Sequence, residues 1–372
     1  MRPLVRRRLV PLSLALAGAL TLAACGSSSN SGSSGGTTSG PVVTTFTGPY
    51  AHTGANTPPP KPLATPTNVT LGVTAKIEVF GEPQVALVQG EFKKENLNVS
   101  VQVAPANSVP QLLAQGQMQF VLNGLNAGNF NAASNGVSNP YLGDPYAYAP
   151  GDPTGLWVNK KFLNSDGSLK KPLPSNFSVS LGQAGIAAPS IIQTEQWLEK
   201  YGYTYNNVKN VSLAQPDIVT ALQNGSLDAG YTNTPFANAL VNNPGFEKVT
   251  GTALAVGAFQ TSSSYLNQHR DVVAAVLRAL VRTARTYFGP GYRSNAQVMN
   301  IISQWIGAPV ATLTQSTPVT FSQDLSMAPL LGPIQQMQTI YIKLGGVLQY
   351  SKPIPNSQLV NTSVLANVLN GQ

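Results

Sequence analysis

The chain has 372 residues, of which 42% are hydrophobic and only 10% are charged, and it contains a single cysteine. A lone cysteine excludes a disulfide within the chain, so the folded part must depend on its hydrophobic core. The formal net charge is +8, but four arginines lie within the first eight residues; the remainder has 18 basic and 14 acidic side chains, a net charge of +4. That excess is too small to indicate nucleic-acid binding.

The N-terminus has the pattern of a secretion signal. Four arginines precede an apolar run from Leu9 to Leu22 that is short for a membrane span, which predicts a signal peptide over 1–24. The stretch LAAC (22–25) resembles the bacterial lipoprotein signal-peptidase site, in which the cysteine becomes the acylated first residue. The resemblance implies a palmitate-type anchor on Cys25 at the outer face of the bacterial cytoplasmic membrane. The alternative is an ordinary signal peptide followed by a lone buried thiol.

Residues 25–67 predict a flexible tether between this anchor and a folded domain, ending in a stiffer proline stretch that includes 58–60. They are dominated by Gly, Ser, Thr, Asn and Pro, and cannot bury enough apolar area to offset the entropy lost on ordering. The folded part then begins with a Val- and Thr-rich strand at Val69–Val79, followed by a helix that starts near Pro83 and a second strand at Asn98–Val103.

Two stretches of the chain have a similar pattern: Ser108–Asn126 can be aligned with 217–235, with Gly116 opposite Gly225. Both units have the order helix, glycine, strand, polar loop. Ser108 with Gln111 predicts a capping box at the first of these helices. Two units of the same build predict two lobes whose loops face each other across a ligand cleft.

The centre of the chain, 181–236, alternates strands with short helices. Its predicted elements are a strand at Gly185–Ala188, a helix at 191–201, a strand at Val208–Leu213, a helix at Asp217–Asn224 and a strand at Leu227–Tyr231. Ser190 with Gln193 predicts a second capping box. This alternation predicts a mainly parallel sheet flanked by helices, with the ligand beyond the carboxyl ends of the strands.

Two stretches carry a resemblance to a known family. IEVFGEPQVALVQGEFKKENLNVSVQV (77–103) resembles the opening of the nitrate/sulfonate/taurine class of ABC-transporter substrate-binding proteins, and ALQNGSLDAGYTNTPF (221–236) resembles a later segment of that family. The resemblance covers roughly 69–290 of the chain. Thr234 and Asn126 depart from the family's pattern, which leaves the class of ligand open.

The resemblance implies an α/β, two-lobed periplasmic-binding-protein type 2 fold. Lobe I would comprise 68–157 plus 255–372 and lobe II would comprise 158–254, with hinges near 156–160 and 252–260. The implied function is the capture of a small solute and its delivery to an ABC permease in the membrane, without a cofactor.

The predicted ligand site has two walls. The first is formed by Phe80, Gln84, Asn123 and Asn126, and the second by Ser190, the amide of Ile191, Asn233 and Thr234. No Arg lies between positions 9 and 269, so a bidentate guanidinium cannot hold an anion here. Helix-start amides and hydroxyls would have to hold it, with Lys76 as a helper. The alternative is a neutral or aromatic solute in apolar contact with Phe80, Tyr231 and Phe236.

A strongly helical pattern starts at Asp271. Arg278, Arg282 and Arg285 recur at helical spacing, which predicts a solvated face or, alternatively, contact with an acidic permease loop or lipid head groups. A further amphipathic helix is predicted at Pro333–Leu344, packed on the first lobe.

Missing motifs exclude most enzyme classes. The two histidines, His52 and His269, cannot complete a Ser-His-Asp or Cys-His set, and no HExxH, CxxC, P-loop or GxGxxG motif occurs. Glu195 and Glu199 share a helix face, as exposed carboxylates commonly do. We therefore expect neither catalysis nor a metal site. We also expect the protein to be a monomer. The alternatives are a same-fold enzyme of pyrimidine-precursor or menaquinone biosynthesis, which the export signal argues against, and a ligand-sensing or adhesion lipoprotein.

Overall fold

The computed structural model describes residues 51, 56–315 and 317–372; the predicted signal peptide and Cys25 lie outside them. The strands are β1 (Thr67–Val73), β2 (Leu97–Val103), β3 (Phe120–Gly124), β4 (Tyr141–Gly143), β5 (Tyr146–Ala147), β6 (Gly155–Asn159), β7 (Ser178–Ser180), β8 (Lys209–Asn210), β9 (Ala229–Thr232), β10 (Phe246–Lys248), β11 (Gly257–Gln260) and β12 (Thr320–Phe321). The helices are α1 (Glu82–Val88), α2 (Val109–Ala114), α3 (Ala127–Ser134), α4 (Ile191–Glu199), α5 (Gln215–Gln223), α6 (Asn238–Val241), α7 (Ser263–Gln268), α8 (Arg270–Tyr287), α9 (Ala296–Ile306), α10 (Val310–Leu313), α11 (Ala328–Leu344), α12 (Asn356–Leu359) and α13 (Ser363–Leu369).

Two five-stranded sheets organise these elements. The first has the strand order β2-β1-β3-β11-β4 and the second has the order β10-β6-β9-β7-β8. In each sheet two neighbouring pairs are parallel and two are antiparallel, so the sheets are mixed rather than mainly parallel as predicted. The antiparallel partner of β3 is β11 and that of β9 is β6, which come from the segments that run between the sheets.

The two repeated units fold alike. In each, proline occupies the first turn of the helix and a glycine follows its last turn with a left-handed backbone, at φ +67° for Gly116 and φ +79° for Gly225. A residue with a β-carbon is strained in this conformation, so glycine ends both helices before the strands β3 and β9. The predicted capping box of Ser108 and Gln111 is wrong, because the Ser108 side chain makes no cap hydrogen bond.

One predicted strand is misplaced. Gly185–Ala187 form a 3₁₀ turn, and the first strand of this region is β7 instead. Gly182 and Gly185 have φ values of +92° and +52°, which an extended strand does not allow. The apolar residues after Gly185 are therefore part of the turn that leads into α4. The predicted strand at Val208–Leu213 shortens to the two residues of β8.

Helix α11 belongs to a core that extends beyond the first sheet. It starts at Ala328, earlier than predicted, and its buried side chains Ile334, Met337 and Tyr341 pack with residues of α4, β6 and β9 as well as with α3. The Tyr341 hydroxyl donates a 2.7 Å hydrogen bond to the carbonyl of Ala187. The helix therefore contacts α3, which lies in the predicted first lobe as expected, and it also contacts α4.

The three predicted arginines of α8, Arg278, Arg282 and Arg285, are held in ion pairs whose side chains are largely buried. Arg278 and Arg282 are 5% and 6% exposed and contact Glu95 at 2.7 Å, while Arg282 also contacts Glu91 at 2.6 Å. Arg285 pairs with Asp324. The prediction of a solvated arginine face is wrong, because the segment between α1 and β2 brings Glu91 and Glu95 against this helix.

The same arginines hold the last part of the predicted tether. The side chains of Arg285 and Arg278 donate to the carbonyls of Asn56 and Lys61 at 2.7 and 2.9 Å. The amide of Lys61 in turn donates to Glu95 at 3.2 Å. Residues 56–66 therefore form a strap that is held against α8 through Asn56 and Lys61, where the sequence predicted the stiffer, proline-containing end of a tether.

Candidate functional site

A cleft of about 790 Å³ lies where the loops of the two sheets meet. Its walls include the residues that follow the parallel strands β1, β3, β7 and β9. The lining residues are Thr74, Ile77, Phe80, Pro105, Ala106, Asn107, Asn123, Gly124, Asn126, Gly128, Tyr146, Tyr148, Thr154, Gln183, Ala184, Ala187, Pro189, Ser190, Gln193, Tyr231, Asn233, Leu254 and Val256. The carboxyl ends of strands in α/β sheets are the usual place for a ligand, and the volume suits a small organic molecule.

Most of the predicted site residues line this cleft. The structure brings together five of them on its walls: Phe80, Asn123, Asn126, Ser190 and Asn233. Lys76 is exposed and lies outside the lining, as does Phe236. Contact of these five residues with a ligand stays a prediction.

Three predicted residues do not line the cleft. Gln84 is half-buried within α1. Ile191 is fully buried, and its amide already donates to the carbonyl of Ala188 at 3.1 Å. The hydroxyl of Thr234 lies 3.3 Å from that of Thr154, and its amide donates to the same hydroxyl at 3.1 Å. The predicted roles of the Ile191 amide and of the Gln84 and Thr234 side chains are therefore not supported.

On the wall of the first sheet, Asn123 is held by a chain of side-chain amides. Its Nδ2 donates to Asn129 Oδ1 at 3.1 Å, and Asn129 Nδ2 donates to Gln260 Oε1 at 3.3 Å. Gln260 Nε2 then donates to the main-chain carbonyl of Asn139 at 3.3 Å. All three side chains of this amide chain are buried, so the chain fixes the position of Asn123 at the cleft.

Asn126 has a structural role at the same wall. Its Oδ1 accepts from the amide of Asn129 at 3.2 Å, which caps α3, and its Nδ2 donates to the carbonyl of Gly124 at 3.0 Å. Its side-chain groups are thus occupied within the protein, although the residue lines the cleft.

On the wall of the second sheet, Gln193 and Tyr231 form a pair. Gln193 Nε2 donates to the carbonyl of Thr252 at 2.9 Å, and Gln193 Oε1 accepts from the Tyr231 hydroxyl at 2.9 Å. The predicted capping box of Ser190 and Gln193 is therefore wrong: the Gln193 side chain is used elsewhere, and the Ser190 side chain makes no cap hydrogen bond. The Ser190 hydroxyl is left at the cleft.

Aromatic side chains form much of the remaining surface: Phe80 and Tyr231 were predicted from the sequence, whereas Tyr146 and Tyr148 were not. The rings of Phe80 and Tyr146 meet edge to face with centroids 6.0 Å apart, and those of Tyr146 and Tyr148 with centroids 5.7 Å apart. Burial raises the pKa of Tyr146, Tyr148 and Tyr231 above its usual range, so their hydroxyls stay neutral. Tyr146 and Tyr148 alternate along the sequence, and this pattern could have predicted an aromatic surface at the cleft.

The cleft carries no formal charge along its described lining, which contains no Asp, Glu, Lys, Arg or His. Asp152 is buried outside this lining, where its carboxylate accepts from the amide of Thr154 at 2.8 Å. Burial raises the pKa of Asp152 above its usual range. Within the described residues, no group of three or more His, Cys, Asp or Glu side chains is arranged to hold a metal ion.

Comparison with known proteins shows similarity of structure. No protein-family model matches the chain, and no curated protein matches its sequence. Among solved structures, the chain is similar to the periplasmic aliphatic sulphonate binding protein SsuA from Escherichia coli, with 15% identity, 79% of this chain and 92% of that chain covered, and a TM-score of 0.58.

Two further solved structures resemble the chain to the same degree. A putative periplasmic sulfonate-binding protein SsuA from Methylobacillus flagellatus has 15% identity, covers 82% of this chain and 94% of its own, and gives a TM-score of 0.60. The periplasmic nitrate-binding protein NrtA from Synechocystis has 13% identity, covers 83% of this chain and 86% of its own, and gives a TM-score of 0.56.

These similarities show the fold. The chain has the two-lobed α/β periplasmic-binding-protein fold that the sequence predicts, and the proteins it resembles are binding proteins. Over the residues that the structure describes, no helix combines the length and apolar character needed to cross a membrane.

Proposed function

We propose that the protein is an extracytoplasmic solute-binding component that captures a small molecule between two lobes and delivers it to an ABC permease. The observation that carries this proposal is the cleft itself, which is lined by loops from both sheets and is large enough for a small organic solute. Similarity in fold to binding proteins of sulfonate and nitrate supports it. The binding of a small ligand at such strand ends needs no catalytic group.

In this proposal the protein works as a monomer with two lobes, 68–157 plus 255–372 and 158–254. Phe80, Asn123 and Asn126 belong to the wall of the first lobe, and Ser190 and Asn233 to that of the second. The two lobes close over the solute by small rotations about the segments that connect them, and the closed form docks on the permease. The signal peptide and the acylated Cys25 would hold the protein at the outer face of the cytoplasmic membrane.

Capture of a solute can be tested without knowing its identity. The full chain, purified in detergent and immobilised, is equilibrated with a small-molecule extract of the source bacterium, washed and unfolded with acid. Mass spectrometry of the released material should show at least one molecule enriched over an immobilised control protein of another fold. If no molecule is enriched at any extract concentration, the protein does not capture a solute from that extract and the proposed function fails.

Anchoring needs its own experiment. The wild-type protein should incorporate labelled palmitate, whereas the Cys25→Ser variant should not, because serine cannot be acylated at this site. The Ser27→Ala variant, close to the lipidation site in the sequence, should be labelled as the wild type is. Labelling of Cys25→Ser equal to that of the wild type would contradict a lipid anchor at this residue.

A further inference from the structure

We propose that the cleft selects a neutral, planar solute that donates hydrogen bonds to Asn123 on one wall and to Tyr231 on the other, and that it discriminates against anions. This inference rests on the proposed function, since it names the class of solute that the same cleft would capture. It follows from the direction of two hydrogen-bond chains, each of which starts at a main-chain carbonyl.

The first chain sets the orientation of Asn123. The carbonyl of Asn139 can only accept, so the group that Gln260 turns toward it must be the amide nitrogen, and the Gln260 oxygen must face Asn129. The same logic places the Asn129 oxygen toward the nitrogen of Asn123. Asn123 Oδ1 is thereby left for the cleft, and no described residue donates a hydrogen bond to it.

The second chain sets the hydroxyl of Tyr231 in the same way. The carbonyl of Thr252 can only accept, so Gln193 presents its nitrogen there and its oxygen to Tyr231. The Tyr231 hydroxyl must then donate to Gln193. Its oxygen can only accept from a solute, because burial raises the pKa of Tyr231 and keeps the single proton on it.

Both walls therefore present an oriented acceptor. A solute meets these oxygens with N–H or O–H groups, whereas nitrate and the sulfonate group bring only acceptors toward them. An anion would also lose its hydration in a cleft whose described lining has hydroxyl and amide donors but no cationic side chain. Neutral donors form weaker hydrogen bonds with an anion than charged donors do, so they offset the cost of burying its charge only in part. A cationic solute finds no carboxylate in that lining either, which favours a neutral one.

The shape and surface of the cleft favour a planar body. The rings of Phe80, Tyr146, Tyr148 and Tyr231 line it, and flat aromatic faces contact planar solutes with little loss of conformational entropy. Its volume of about 790 Å³ is within the range for organic ligands.

The class of solute can be tested with two sets of matched probes, one built on a pyridine ring and the other on a benzene ring. Nicotinamide and benzenesulfonamide are neutral donors; nicotinate and benzenesulfonate are their anionic counterparts, 1-methylnicotinamide is a cation, and N,N-dimethylnicotinamide lacks the N–H groups. Calorimetric titration of the full chain should show binding of a neutral amide at least about tenfold tighter than that of its anion, of the cation and of the dimethylated probe, since each lost hydrogen bond or buried charge costs about that factor or more.

Variants separate recognition from stability. Asn123→Leu removes the acceptor, and Gln260→Met removes the positioning residue that orients it through Asn129. In both variants the preference for nicotinamide over the dimethylated probe should fall to within about threefold, whereas a merely structural defect would weaken both probes equally. Asn135→Leu, an exposed position bonded to Gln349, should keep the wild-type preference.

Failure of the proposed solute class can be distinguished from failure of the proposed function. Tighter binding of nicotinate or benzenesulfonate than of its amide overturns the neutral class, while capture as such still stands. Tighter binding of 1-methylnicotinamide, or an absence of binding by every neutral probe, also overturns the class. Failure of the extract experiment, in which no molecule of any charge is enriched, overturns the proposed function itself.

Discussion

Glu82 is a carboxyl group that the fold buries in the first turn of α1. Its side chain is fully buried, and neither oxygen has a hydrogen-bond partner among the described residues. Burial raises the pKa of Glu82 well above its usual range, because a charged carboxylate without a partner is poorly solvated there. The folded protein therefore favours the protonated acid at this position.

The raised pKa makes stability depend on pH in a defined direction. The folded-state pKa of Glu82 lies above its unfolded value of about 4.3. The stability that Glu82 contributes is therefore fully present below about pH 4.3 and is lost as the pH rises through the folded-state pKa. Glu82→Gln should thus raise the free energy of unfolding by about 1–3 kcal/mol at pH 8 and by less at pH 5. Thermal unfolding at the two pH values measures this.

A matched substitution provides the control for Glu82. Glu199→Gln alters an exposed carboxylate of α4 paired with Lys343, and should change stability by at most about 1 kcal/mol at either pH. Equal melting-temperature changes for Glu82→Gln at pH 5 and pH 8 would mean that Glu82 is not the source of the pH dependence.

Ser190 lies at a helix start without acting as its cap. Its hydroxyl lines the cleft and makes no cap hydrogen bond, so Ser190→Ala should leave the melting temperature of the free protein unchanged. The same variant should reduce the rise in melting temperature produced by a bound solute. Ser262→Ala, which removes a real cap bond to the amide of Tyr265 at 3.1 Å, should instead cost about 1 kcal/mol in the free protein.

Thermal-shift titration of both serine variants with the solute recovered from the extract experiment compares these effects. A full solute-induced shift in Ser190→Ala would show that this hydroxyl does not contact the solute. Loss of stability in the free Ser190→Ala protein would show that the hydroxyl supports the fold.

Sequence reasoning reached the residues that follow strand ends but not the groups that their side chains present. Asn123 and Asn233 were predicted because ligands bind beyond the carboxyl ends of strands in α/β sheets, and the sequence shows a polar loop after each of the two apolar runs. The predicted role of the Ile191 amide is not supported, because this amide already donates to the carbonyl of Ala188 in the turn before α4. The direction of the Asn123 amide depends on Gln260, which is distant in sequence, so no local pattern could reveal it.

At the level of elements, α8 is tied to the rest of the protein through Arg282. Its guanidinium is buried between Glu91 and Glu95 and also donates to the carbonyl of Glu91 at 2.9 Å. Burial alone would raise the pKa of Glu91, but hydrogen bonds from Lys94, Arg282 and Tyr287 together hold it below its usual range. The pair is thus charged in the folded state at neutral pH.

Removal of one partner from this buried network should be costly. Arg282→Met leaves Glu91 and Glu95 with fewer donors in a buried site, and should lower the free energy of unfolding by about 3–5 kcal/mol at pH 7. Because the lowered pKa of Glu91 contributes stability above an unfolded value near 4.3 and loses it as the pH falls, the loss should shrink in acid. Denaturant unfolding at pH 7 and pH 4 measures both effects.

The same helix offers a control for the arginine experiment. Arg270 is exposed and makes only a 3.3 Å contact with the Ser363 hydroxyl, so Arg270→Met should change stability by no more than about 0.5 kcal/mol. If Arg282→Met were as mild as Arg270→Met, the buried network would contribute little to the attachment of α8.

Local signals explain which elements were predictable. The helix–glycine–strand units were predicted because a glycine directly after a short helical pattern indicates a left-handed residue that ends the helix. The strand at Gly185–Ala188 was predicted wrongly because an apolar run alone does not reveal a backbone held in a left-handed turn. The strap at 56–66 was missed because its partners, the arginines of α8, lie more than 200 residues away.

For the whole molecule, the two sheets repeat one arrangement. The central strands β3 and β9 each have a parallel neighbour on one side and an antiparallel neighbour on the other. The order and spacing of the elements predicted two such lobes. The mixed character of the sheets was not predicted, because β11 and β6 enter them from segments that cross between the two, and a crossing strand has no local sign of its direction.

This arrangement leaves an open position at the cleft end of β3. Gly124 lines the cleft, a β-carbon built there has no atom within 4 Å, and its φ is not in the left-handed region. A larger side chain at this position can therefore enter the cleft without strain in the strand. Gly124→Leu should fill part of the space that a solute needs while the melting temperature of the free protein stays the same.

The consequence should be a loss of capture without a loss of fold, because the added side chain takes space from the solute and its β-carbon meets no protein atom within 4 Å. Binding of the extract-derived solute to Gly124→Leu should fall by at least about tenfold, the cost expected when a ligand must give up a good contact or hydrogen bond. Gly332→Leu, at an exposed position of α11 that also has open space, should bind as the wild type does. Wild-type affinity in Gly124→Leu would mean that the solute does not occupy the part of the cleft beside the end of β3.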